Sequence, residues 1–298
     1  MATIDQVRAA PTSQSQLVSI MANKNKLQQL IDLGALPAQA IGLEIGPGYD
    51  PVMPKRDGHR VMTLDHLSAS DLRLKYAGAP GVDVASIEEV DFVSDGGSFL
   101  SLIGKPSHFD YIVASHVIEH TVDLLGFLLD CQALLKPNGK LVLAVPDMRF
   151  SFDCLRALST TGQVIDAHTQ GSDRHSAGKV FDELAYNCQR NGAIAWNRKS
   201  TGQLQFFRSF AEARWIIEQY QSTSTYIDIH AWQFTPSSFR LLVHDLVGLG
   251  LLHLRELSFE TSADNEFFMV LSQQAPGCPL DRMDMARKTR QEFSDIHA

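Results

Sequence analysis

Short apolar runs and helix-period stretches alternate along the first half of the chain. Residues 1–18 are polar and rich in Ser and Gln, and read as a loose leader. Ile20, Leu27, Leu30, Ile31 and Leu33 then mark one face of a helix over 19–34, ending near Gly34. Strands are expected at 41–45, 60–64, 87–93, 109–114 and 140–145. An amphipathic helix over 122–135 stops at the breaker cluster Lys136-Pro137-Asn138-Gly139. Near-continuous apolar strands separated by helices predict a parallel sheet covered on both faces.

From 148 to 235 the alternation lapses. This segment holds all three tryptophans, Trp196, Trp215 and Trp232. It reads as a mainly helical insertion with a small core of its own. The alternation resumes with a helix over 236–248, opened by Pro236, and two strands at 253–260 and 267–272 whose spacing suits an antiparallel hairpin. The expected organisation is a leader (1–18), an α/β core (19–147), a substrate-binding or lid insertion (148–235), the completion of the core (236–275) and a charged tail (276–298). The fold class expected is α/β, with a mostly parallel sheet and helices on both faces.

Composition narrows the functions. The chain has 298 residues, 44% hydrophobic and 20% charged, which excludes a disordered polymer. A net charge of −8 disfavours a dedicated nucleic-acid binder. Cys131, Cys154, Cys188 and Cys278 lack Cys-x-x-Cys spacing, and no secretory leader is evident, so a reducing cytoplasm is the expected setting. No apolar stretch is long enough for a transmembrane helix.

The candidate chemistry lies where the first strand runs into Gly46-Pro47-Gly48. Glycines there allow a tight turn and close approach of a ligand to the backbone. Asp65 closes the second strand, where a carboxylate can accept two ribose hydroxyls, and Asp95 follows the third, where one can meet an adenine amino group. Ser115-His116-Val117-Ile118-Glu119-His120 follows the fourth. All lie at the carboxyl ends of parallel strands, the edge where such sheets bind ligands. Plainer accounts stand beside these: a bare turn for the glycines, a helix cap for Asp65, an Asp-Gly turn for Asp95, a capping role for Glu119 and a structural one for His120. Pro51 stands where a dinucleotide fingerprint needs its third glycine, and no Tyr-x-x-x-Lys occurs, which disfavours a nicotinamide-dependent oxidoreductase or epimerase.

Glu44-x-Gly46-x-Gly48, Asp65, Asp95, the 115–120 run and Leu134-Leu135-Lys136-Pro137-Asn138-Gly139-Lys140-Leu141 together resemble the class I S-adenosylmethionine-dependent methyltransferases. The resemblance covers 41–147, and the final helix and hairpin suit that superfamily's seven-stranded, Rossmann-like sheet. A looser resemblance, carried by Pro51, Pro54, Lys55 and the run Pro146-Asp147-x-Arg149-Phe150-x-Phe152-Asp153, is to a bacterial branch linked with saccharide and surface-polysaccharide modification. The implied cofactor is S-adenosyl-L-methionine. Gly46, Pro47 and Gly48 would lie against its methionine part, with Glu44 holding the turn or binding the amino group. Asp65, with His66 beside it, would take the ribose; Asp95 and Gly96 would flank the adenine; Ser115 and His116 would line the methyl end.

The acceptor expected is a small molecule or saccharide, methylated at oxygen, with no nucleic acid involved. His116 is the first candidate for a general base and His230 the second. Asp147 and Arg149 are candidates for positioning the acceptor, and Trp232 for lining its pocket. His168, His175 and His230, with Asp173, Asp182 and Glu183, match no compact ligand spacing, so no metal is expected. A non-catalytic cofactor-binding scaffold is the alternative.

Overall fold

The computed structural model describes residues 25–31, 39–223, 226–262 and 264–295. The leader 1–18, the expected helix end at Gly34 and the last three residues of the tail lie outside these. Seven strands form one sheet: β1 (Gly42–Ile45), β2 (Val61–Asp65), β3 (Phe92–Val93), β4 (Phe109–Ser115), β5 (Leu135–Pro146), β8 (Arg255–Thr261) and β9 (Glu266–Ser272). Their order is β3-β2-β1-β4-β5-β9-β8. Only β9 runs antiparallel to its neighbours, pairing with both β5 and β8. The fold is the expected seven-stranded, mostly parallel α/β sheet.

The period of two decides which side chains face which layer. Ile112 and Ala114 of β4, Leu141, Leu143 and Val145 of β5, and Phe267, Met269 and Leu271 of β9 enter one apolar cluster. The alternate residues Tyr111, Val113, Val142, Ala144, Phe268 and Val270 enter the other. The first face is covered by α4 (Leu124–Leu134) and α8 (Pro236–Gly248), and the second by α1 (25–31) through Leu27, Leu30 and Ile31. Thr235 caps α8 reciprocally with Ser238, and Pro236 occupies its first turn, where no amide hydrogen is needed.

Two expectations need correction. The third strand is only Phe92–Val93, because Ile87 packs against Ala69 and Leu72 of α2 (Ala69–Lys75) instead of joining the sheet. The breaker cluster does not precede β5 but interrupts it: Phe109 faces Leu135 and Tyr111 faces Lys140, so the intervening residues bulge out. The 148–235 segment shares the main core and keeps a small one of its own. It contains α5 (Thr161–Gln170), α6 (Ala177–Tyr186), the small hairpin β6 (Cys188–Arg190) and β7 (Leu204–Phe206), and α7 (Phe210–Ser222). Val164, Val180, Ala213 and Tyr220 join the main apolar cluster, leaving Cys154, Cys188 and Trp196 as a separate small one. The charged tail forms α9 (Arg282–Ser294) against α8, where Glu292 accepts from the Ser237 amide at 2.9 Å and hydroxyl at 2.8 Å.

Candidate functional site

The turn after β1 is shaped by two left-handed glycines, Gly46 (φ 70°) and Gly48 (φ 53°). At Gly46 a Cβ would sit 2.8 Å from Val117 Cγ2, so glycine is needed for space as well as conformation. At Gly48 the nearest atom would be Tyr76 Oη at 3.7 Å, so the requirement there is conformational. Glu44 is buried, and its oxygens accept from the amides of Val52 (2.6 Å) and Met53 (2.9 Å). It therefore pins the far side of the loop, and those bonds make an amino-group contact secondary. Asp65, also buried, accepts from the Gly48 amide at 2.9 Å, the His66 amide at 2.7 Å and His66 Nδ1 at 2.6 Å. Asp95 is exposed and accepts from the Gly97 amide at 2.9 Å, with Gly96 at φ 90° beside it. The Ser94 amide donates to the Asp65 carbonyl at 2.8 Å, which keeps Asp95 on the same sheet edge as Asp65. A narrow glycine turn ending on a buried carboxylate suits a nucleoside-bearing cofactor.

Beside this turn, β4 ends at half-buried Ser115 and the backbone enters a left-handed residue, His116 (φ 54°). That conformation is uncommon outside glycine. It brings His116 Nε2 to 2.7 Å from Glu266 Oε2 at the start of β9, and Nδ1 to 3.5 Å from Glu119 Oε1. Loss of hydration opposes the imidazolium charge, but the two carboxylates outweigh it and push its pKa up to about 10. Glu119 is 1% exposed, and neither of its oxygens has a hydrogen-bond partner among the described residues. His120 Nε2 and His230 Nε2 stand 3.9 Å and 4.0 Å from Glu119 Oε1. Burial raises the Glu119 carboxyl, but the facing histidines outweigh it and hold it below the usual range. His230 Nδ1 lies 2.6 Å from Asp153 Oδ2, and His120 Nδ1 lies 2.8 Å from Asp228 Oδ1.

A family model described as a methyltransferase domain matches residues 21–216, an interval containing the glycine turn, Asp65 and the 115–120 run. The chain belongs to this methyltransferase family. Its cofactor is S-adenosyl-L-methionine. The ubiquinone biosynthesis O-methyltransferase of Bradyrhizobium diazoefficiens is 28% identical over 132 residues, 41% of this chain. The match spans 44% of that relative, less than half its length. Among solved structures, a methyltransferase from Aquifex aeolicus shares 10% identity at a TM-score of 0.39, covering 83% of this chain and 97% of that one. One from Methanosarcina mazei shares 16% at 0.39, covering 80% and 95%.

Elsewhere in the methyltransferase domain, the residues expected on the acceptor side are engaged within the fold. Arg149 donates from Nε to Asp147 Oδ1 at 2.8 Å and from Nη2 to Oδ2 at 2.5 Å, and both side chains are buried. The pairing commits Nε and Nη2 of Arg149 to Asp147. Trp232 is likewise buried: its Nε1 donates to the Thr121 carbonyl at 2.7 Å, and Lys179 covers its ring at 4.0 Å. Both are tied into the packing of the domain. Glu266, Asp153 and Asp228 were not legible as site residues. Glu266 meets His116 across 150 positions of sequence, and only the antiparallel return of β9 brings it there.

Proposed function

We propose that this chain transfers a methyl group to a hydroxyl oxygen of a small molecule, with a saccharide among the acceptors. The observation that carries this reading is the buried Asp65 carboxylate bonded to the Gly48 amide at the end of the glycine turn. When bound, the cofactor would supply an electrophilic methyl group on a cationic sulfonium, the thioether leaving as an acceptor oxygen takes the methyl and its hydroxyl proton passes to water. Gly46 and Gly48 would lie along its methionine part, Asp65 would hold the ribose hydroxyls, and Asp95 would meet the adenine edge. His66, with 56% of its side chain exposed, is the group that gives way when a ribose takes Asp65 Oδ1. Alignment and exclusion of water are the domain's main contribution to such a displacement.

The 148–235 segment forms the acceptor side in this reading. Its last stretch touches the turn after β4, where the Ala231 and Trp232 amides meet the Glu119 carbonyl at 2.6 Å and 3.2 Å. Oxygen as the accepting atom is supported by the O-methyltransferase named above, and a neutral or cationic acceptor by the acidic net charge. His116 has a carboxylate at each ring nitrogen, so it serves as a positive group organising Glu119 and Glu266 rather than as a free base. The test is transfer of labelled methyl from S-adenosyl-L-methionine across a panel of phenols, sugars and nucleosides, with calorimetry for cofactor binding. Methylation of a phenol or sugar hydroxyl is expected. Label appearing only on nitrogen or nucleic acid would sink the acceptor assignment.

A further inference from the structure

We propose that Glu119, His120 and His230 form a binding site for a divalent first-row transition ion, zinc(II) foremost. Their ligand atoms all lie within 4.8 Å of one another. Two features separate this cluster from an ordinary buried network. The Glu119 carboxylate is almost fully buried, yet neither oxygen has a hydrogen-bond partner among the described residues. The His116 imidazolium facing it stands 3.5 Å from Oε1 and pairs more closely with Glu266 at 2.7 Å, so the buried anion is only partly met. Each histidine is also oriented from behind, His230 Nδ1 by Asp153 at 2.6 Å and His120 Nδ1 by Asp228 at 2.8 Å. A carboxylate on Nδ1 fixes the tautomer that leaves the Nε2 lone pair available, which is how ligating histidines are usually held.

Both Nε2 atoms then face the same oxygen, Glu119 Oε1, at 3.9 Å and 4.0 Å. Ligands about 2.0–2.2 Å from a tetrahedral ion stand roughly 3.4 Å apart, so the two edges to Glu119 must close by about half an ångström and the remaining one, within 4.8 Å, by up to about 1.4 Å. His120, with 24% of its side chain exposed, has the room to move. Two imidazoles and one carboxylate select zinc, manganese, iron or cobalt over calcium and magnesium, and three protein ligands leave a position open. On the hydroxyl-acceptor reading given above, that position would take the acceptor oxygen and ease its ionisation, its proton passing to water. Binding of the ion itself does not depend on that reading.

The experiment uses the full chain stripped with a chelator and titrated with zinc(II), or with cobalt(II) followed by its visible absorption. One ion per chain is expected. Glu119→Gln and His230→Gln should each weaken binding at least about 100-fold, and Asp153→Asn about 10–100-fold. Circular dichroism and cofactor binding on the same samples report folding; should a buried variant unfold, His120→Asn takes its place with the same expected loss. No saturable binding by the stripped chain, or unchanged affinity in a folded Glu119→Gln or His120→Asn, overturns the site. One-to-one metal binding without cofactor binding would leave the site standing and bring down the methyl-transfer reading.

Discussion

At the residue scale, Asp65 and His66 make opposite forecasts. Asp65→Asn leaves the Gly48 amide a partner but removes the charge and one acceptor site. Affinity for S-adenosyl-L-methionine should fall at least about tenfold, roughly 1.4 kcal/mol, by calorimetry. His66→Ala should hold affinity near wild type or improve it, since His66 competes for Asp65 Oδ1. Equal affinity in Asp65→Asn and wild type would refute the ribose role. Gly46→Ala combines a left-handed backbone with a Cβ 2.8 Å from Val117 Cγ2. A loss of at least about 1 kcal/mol from the backbone alone is expected. Val117→Ala should relieve the crowding part of the cost and leave the conformational part, which a double-mutant cycle in urea can separate.

His175 gives a pH dependence. Burial, aided by the positive charges of His120 and Lys179 and opposed by Asp228, holds its pKa down to about 4. The unfolded chain takes up that proton near pH 6.5. The contribution is therefore fully present above about pH 6.5 and is lost as pH falls toward 4. Urea midpoints should drop across that window, and His175→Gln should flatten the slope. An NMR titration placing His175 near 6.5 would contradict the account.

At the scale of elements, the buried Asp147–Arg149 pair bears on stability. Arg149→Ala leaves an unpaired carboxylate behind β5 and should cost about 3 kcal/mol in urea unfolding, with the acceptor preference unchanged. A large change in acceptor preference at wild-type stability would restore the positioning role that the sequence suggested. The same comparison shows what local pattern conveys. β1, β2 and β4 were legible because their apolar runs end at Gly46, Asp65 and Ser115. The third strand was overdrawn because the apolar pattern of Ile87 fits packing on α2 as well as it fits a sheet. The burial of Trp232 was not legible from aromatic richness, because a buried indole and a pocket-lining one look alike in sequence.

At the scale of the whole molecule, the donor half of the candidate site was readable and the other half was not. Gly46, Gly48 and Asp65 lie within the one stretch from β1 to the end of β2, so spacing reveals them. Asp153 and His230 are 77 positions apart, and His120 and Asp228 are 108. Those pairs exist only because the segment after β5 folds back over the end of β4. No helix among the described residues is long and apolar enough to cross a membrane.

The antiparallel return of β9 has a consequence for the order in which the protein is made. The family match ends at 216, whereas β8 and β9 begin at Arg255 and Glu266. On the ribosome, β5 is therefore translated long before the strand that will cover its outer edge, and His116 long before Glu266. A nascent chain of this kind offers a bare strand edge to other chains during that delay. Translation arrested before Glu266 should yield protease-sensitive, chaperone-bound chains, and arrest with β9 free of the exit tunnel should yield resistant ones.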